Sequence, residues 1–338
     1  MMQPWIHRAK TDTIFILAPS FLILGIIVLG QQWLLEIEAK HSFYIWLFLI
    51  VFIDVAHVYA TLFKTYFVSS EFQKRKKLMI GLPVLCFCIG LVLFSFGSRV
   101  FWSVLAYVAV FHFIRQQYGF MRLYSRNEPR LKRNKYFDSL VIYTVTGYPM
   151  LYWFFSPERN FNWFMPNEFL QFENEGLLEI FRVFYFLILA VYVLSVSYKA
   201  WTNRFFNIPK NAIIAGTALS WYFGIVYYNN DLIFTMLNVV SHGIPYMALI
   251  FLKEIDGKGT ALWGAMSYLT KFKGVVFYLG ILLLIAFLEE YIWEIAVWNE
   301  QFSMRGMDFT AAHFVLVPLL AVPQFTHYVL DGFIWKSK

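Results

Sequence analysis

The chain has 338 residues, of which 59% are hydrophobic, 21% aromatic and only 14% charged, against about 25% charged in a soluble domain. That composition excludes an ordinary soluble globular protein and points to a polytopic membrane protein. The net charge of +7 does not indicate nucleic acid, because the basic residues sit in short clusters between apolar stretches and the aromatics lie inside those stretches.

A helix that crosses a bilayer needs about 20 mostly apolar residues. In chain order ten segments qualify: 13–30, 43–67, 78–97, 100–121, 137–156, 177–198, 211–229, 232–252, 274–293 and 309–335. The first follows a short basic region, as a signal peptide would. No small-residue cleavage site succeeds it, so it is expected to remain as a spanning helix. Cys86 and Cys88 fall in the third segment, two residues apart. On a helix they point roughly 200° apart, so they read as small hydrophobes, neither bridged nor sharing a metal. Residues 161–172, FNWFMPNEFLQF, are too short and too polar to cross and read as an interfacial loop. The expected fold is all-α: one integral membrane domain over 1–338 with about ten transmembrane helices.

Orientation follows from Lys and Arg. One set of loops holds Arg8 and Lys10, the KRKK of 74–77, six basic residues within 122–135, Lys199, Arg204, Lys210, Lys253, Lys258, Lys271, Lys273, Lys336 and Lys338. The opposite set holds Lys40, Arg99, Arg159 and Arg305, and the ratio of 21 to 4 places both termini in the cytoplasm. A compact chain of this kind suits the inner membrane of a bacterium. The basic segment 122–135 reads as a solvated loop that sets topology, with contact to anionic lipid as the alternative.

Polar residues inside the spans form stripes. The second span carries Asp54, His57, Thr61 and Lys64 at offsets 0, 3, 7 and 10, which share one helix face. The fourth carries His112, Arg115, Gln116 and Gly119, the eighth Asn238 and His242, and the tenth Gln324, His327 and Asp331. Each histidine lies 8 to 11 residues before the cytoplasmic end of its span, or roughly 12–17 Å in from the boundary. Four helices running in one direction therefore bring four imidazoles to one depth. A single intramembrane histidine is ordinarily an interhelical hydrogen-bond partner. Here two carboxylates accompany the four, each one turn from a histidine, where an ionised group is costly unless paired. A carboxylate in that place can accept the imidazole N–H and leave the other nitrogen for a metal.

The expected metal ligands are His57, His112, His242 and His327. Asp54 and Asp331 would orient them, and Arg115 and Gln116 would position a polar end of substrate or a bound oxygen species. Lys64 and Arg115 are also candidate counter-ions to the two aspartates. Four neutral imidazoles without thiolates suit iron(II), with another transition metal or haem as alternatives. Clusters of the form HxxxH, HxxHH or HExxH are absent.

At IDVAH (Asp54, His57), FHF (His112), SHG (His242) and THYVLD (His327, Asp331) the pattern resembles the bacterial membrane carotene dioxygenases that form retinal. The resemblance implies iron at those four histidines and oxidative cleavage of a polyene double bond. The resulting expectation is a membrane non-haem iron oxygenase acting on a hydrophobic lipid or isoprenoid that enters from the bilayer. Tyr59, Phe111, Phe113, Tyr118 and Tyr328 are candidates to line its path. A proton-coupled transporter, built on the same buried Asp, His, Lys and Arg, and a bis-histidine haem electron carrier are the alternatives. The sequence leaves oligomeric state open.

Overall fold

The computed structural model describes residues 2–128, 132–255, 273–302 and 309–335. Lys258, Lys271, Arg305, Lys336 and Lys338, used above for orientation, lie outside the described residues, as do 129–131 of the basic segment. The protein is all-helical, with no strand among the described residues. Nine long helical stretches carry it there: α1 Ala9–Lys64, α2 Lys76–Ser95, α3 Ser98–Tyr124, α4 Lys132–Phe155, α5 Glu175–Asn203, α6 Ile208–Trp221, α7 Asp231–Ile255, α8 Gly274–Trp298 and α9 Thr310–Ile334. Six of them (α1, α2, α5, α7, α8 and α9) are long and apolar enough to cross a membrane. Residues 156–174 are irregular, which agrees with the interfacial loop expected at 161–172.

One difference from the sequence reading concerns α1. Residues 31–42, expected as a loop between two spans, are helical. The segment QQWLLEIEAKHS contains no Gly or Pro and is rich in good helix formers. Glu36 and Lys40 add an i,i+4 pair at 4.0 Å. The count of ten spans and the cytoplasmic placing of both termini lean on a reversal at 31–42, where the structure has helix. Within α1, residues Trp46–Val55 are π-helical, Ala56–Ala60 return to α, and Thr61–Lys64 tighten to 3₁₀.

The chain divides into two compact units, Met1–Leu34 with Phe113–His242, and Leu35–His112 with Gly243–Lys338. In the first, α4 packs on α5 and α6, and α6 packs on the start of α1. Gly216 permits that last contact, since a Cβ there would stand 3.1 Å from Ser20 Cβ. Buried charge in this unit is paired. Lys210 Nζ lies 2.9 Å from Glu128 and 3.3 Å from Asp138. Asp12 is buried and accepts from the backbone N–H of Ile6 and His7 and from the Tyr124 hydroxyl. Glu168 fastens the irregular segment by accepting the N–H groups of Trp163, Phe164 and Met165. Burial nevertheless holds its carboxyl above the ordinary carboxylate range, the three N–H donors pulling the other way.

In the second unit α2 packs along α9, and α8 packs against residues 46–60 of α1. Gly90 allows α2 to approach Pro318 of α9, because a Cβ there would meet the Pro318 Cβ at 3.0 Å. Trp102, Trp293 and Trp298 form an aromatic group, with ring centroids 5.4 to 5.8 Å apart. Lys64 and Glu254 form a largely buried ion pair at 2.6 Å, with the Lys64 ammonium 4.3 Å over the Trp335 ring.

Candidate metal centre

Three of the four histidines belong to the second unit. His57 lies on α1 two residues after the π-helical run, His112 lies in α3 and His327 in α9. Their ring centroids are 4.5 Å apart for His112–His327, 5.1 Å for His57–His327 and 6.5 Å for His57–His112. The fourth, His242, is the last residue of the first unit, on α7, which continues without a break into Gly243. All four are between 0% and 3% exposed. One ligand nitrogen from each lies within 4.8 Å of the other three. Metal–imidazole bonds of about 2.0–2.1 Å allow nitrogens on one ion to stand at most roughly 4.2 Å apart.

The local sequence accounts for each position. Gly243, next to His242, lets α7 reach α1: a Cβ there would stand 2.8 Å from Ile53 Cγ2 and 3.0 Å from the Ile53 carbonyl oxygen. Pro245 lacks an N–H, so the Ser241 carbonyl loses its i+4 donor. Gln117 Nε2 donates to that carbonyl at 3.4 Å, and Gln116 Nε2 donates to the carbonyl of His242 at 2.9 Å. Phe113 stacks face to face on the His242 ring, 3.6 Å between centroids and 4° between planes. These contacts hold the imidazole of His242 in one orientation.

The second unit also shows how the aspartates act. Asp54 Oδ1 is 3.6 Å from His57 Nδ1, and Asp331 Oδ1 is 4.0 Å from His327 Nδ1. Both distances exceed hydrogen-bond reach, so the direct carboxylate–imidazole bonds expected from the spacing are not made. Asp331 instead accepts from the Tyr246 hydroxyl at 2.6 Å. Tyr246 lies 2.9 Å from Thr61 Oγ1, which lies 2.7 Å from His327 Nδ1. Asp331 Oδ2 stands 4.0 Å from His112 Nδ1.

The other expected residues separate. Gln116 supports the His242 segment through the backbone. Arg115 is exposed; its guanidinium donates to the Tyr143 hydroxyl at 2.5 Å and lies 4.6 Å over the Tyr118 ring. Lys64 pairs with Glu254 rather than directly with either aspartate. Tyr328 packs beside His112 at 4.9 Å, Tyr59 is half-buried, and Phe111 is exposed. The residue that sequence reasoning missed is Tyr246. Its only signal in the sequence is its place four residues after His242.

No family model, curated protein or solved structure matches the chain. The buried four-histidine cluster and the apolar helices fit a membrane metalloprotein.

Proposed function

We propose that the protein is a membrane-embedded non-haem iron oxygenase, with His57, His112, His242 and His327 as the ligands. The observation that carries the reading is the convergence of four buried imidazole nitrogens within 4.8 Å. Imidazole suits iron, copper and zinc, and the resemblance to carotene dioxygenases selects iron(II). In haem the macrocycle takes four positions on the iron and leaves two for histidine. Four imidazoles converging on one point therefore favour a bare ion. Bound there, iron would supply the dioxygen chemistry. The chain's own residues hold the imidazoles, exclude water and surround the site with apolar helix faces. That setting favours a hydrophobic substrate, a lipid or an isoprenoid of the carotenoid type, drawn from the bilayer of the bacterial inner membrane.

The test is metal analysis of the protein purified in detergent, with His57→Ala and His327→Ala alongside. One equivalent of iron in the parent and its loss in both variants is the expected result. Sub-stoichiometric metal, unchanged by either substitution, overturns the reading. Consumption of dioxygen with a polyene supplied in micelles then tests the substrate class.

A further inference from the structure

We propose that Thr61 and Tyr246 are positioning residues that force His327 to present Nε2 to the metal, by forming a one-way hydrogen-bond chain to Asp331. The inference deepens the metal-centre reading and rests on it for the ligand role of His327.

Tyr246 has a single hydroxyl proton, and that proton goes to Asp331 Oδ1 at 2.6 Å. With its proton committed, Tyr246 can meet Thr61 Oγ1, 2.9 Å away, only as an acceptor. The Thr61 hydroxyl is therefore the donor in that contact. Thr61 Oγ1 in turn lies 2.7 Å from His327 Nδ1, where it must accept, so Nδ1 carries the hydrogen. Nδ1 protonated leaves Nε2 as the bare nitrogen of a neutral imidazole. His327 Nε2 is buried and makes no hydrogen bond, as a ligand atom directed at an ion would. His327 and Tyr246 are at most 2% exposed and Thr61 3% exposed, so water does not offer competing partners.

The chain also explains why Asp331 does not touch His327. At 4.0 Å from Nδ1, the carboxylate acts through two hydroxyls contributed by two other helical segments. The orientation of one ligand thereby depends on α1, α7 and α9 keeping their register within this unit.

Two readouts separate this inference from the metal-centre reading. The first needs no metal. In metal-free protein labelled with ¹⁵N-histidine, the His327 signals, assigned by their loss in His327→Gln, report the tautomer. The parent is expected to show Nδ1–H. In Tyr246→Phe the Thr61 proton is released and can be donated to His327 Nδ1, so the signal moves toward the Nε2–H form. Thr61→Val, which removes the acceptor, does likewise, and Thr61→Ser retains the parent tautomer. The second readout is Co(II) affinity measured by competition with a chelator. Tyr246→Phe and Thr61→Val are expected to bind roughly 10- to 100-fold more weakly, the range for loss of a ligand's supporting partner, with Thr61→Ser close to the parent. An unchanged tautomer in both Tyr246→Phe and Thr61→Val overturns the inference, as does parent-like cobalt affinity in both. Failure of the parent itself to bind cobalt strikes the metal reading, and the tautomer spectra then decide this one alone.

Discussion

Replacing Gly243 by alanine tests the close approach that brings α7 to the histidines. The new Cβ would lie 2.8 Å from Ile53 Cγ2 and 3.0 Å from the Ile53 carbonyl oxygen. Carbon atoms in good contact sit about 3.5–4.0 Å apart, so the overlap is roughly 0.7 Å or more. A buried, branched side chain and a backbone carbonyl cannot rotate out of the way. Overpacking of this kind costs roughly 1–3 kcal/mol, while alanine in place of a helical glycine returns about 1 kcal/mol. The net expectation is destabilisation of about 1 kcal/mol, with a larger functional effect. A retreat of 0.5 Å by α7, on the order of half that overlap or more, would carry Tyr246 away from Thr61, whose contact is 2.9 Å. The assay is chemical unfolding in detergent together with cobalt affinity. Adding Ile53→Ala to the Gly243→Ala background should be less harmful than Ile53→Ala alone predicts by addition, because one of the two clashing groups is gone. Stability equal to or above the parent in Gly243→Ala, with parent-like cobalt affinity, would refute the reasoning.

Three further outcomes are expected. Phe113→Leu removes the stack on His242, worth about 0.5–1.5 kcal/mol, and should weaken metal binding by up to roughly tenfold with unfolding little changed. Lys210→Met removes the ammonium that bridges Glu128 and Asp138; the loss should be roughly 3–5 kcal/mol in an unfolding titration, with metal content per folded protein unchanged. Metal at 100 times its dissociation constant should stabilise the protein by about 2.7 kcal/mol. A thermal-unfolding shift that chelator reverses, and that His327→Ala lacks, is the check.

The helical membrane architecture and the four histidines were legible in the sequence for one reason: polar groups in apolar runs are costly, so their spacing carries information. His57, His112, His242 and His327 could each be placed by depth alone. What stayed hidden depended on a partner from another helix. Tyr246 is one of 21 tyrosines, and nothing local distinguishes the one whose hydroxyl completes a chain between Thr61 and Asp331. Arg115 was grouped with His112 because offsets of 3 and 4 share a face, yet they fall about 60° to one side and 40° to the other. A narrow site admits the second and leaves the first, and the arginine's length takes it to Tyr143. Hydropathy alone marks residues 31–42 as a break between spans, whereas helix propensity governs a polar stretch free of Gly and Pro, and the segment is helical.

The π-helical run Trp46–Val55 has a consequence for mutational scanning. Its bonds close i to i+5 rather than i to i+4, so the angular phase of α1 slips before His57 is reached. Tolerance to substitution plotted along this helix should keep a 3.6-residue rhythm over Ala18–Ile45, lose step across 46–55, and resume with an offset over Ala56–Ala60. Deleting one residue inside the run would let it relax to an ordinary α-helix without dislodging His57, whereas the same deletion between residues 56 and 60 would wrench the lower face of the helix out of alignment.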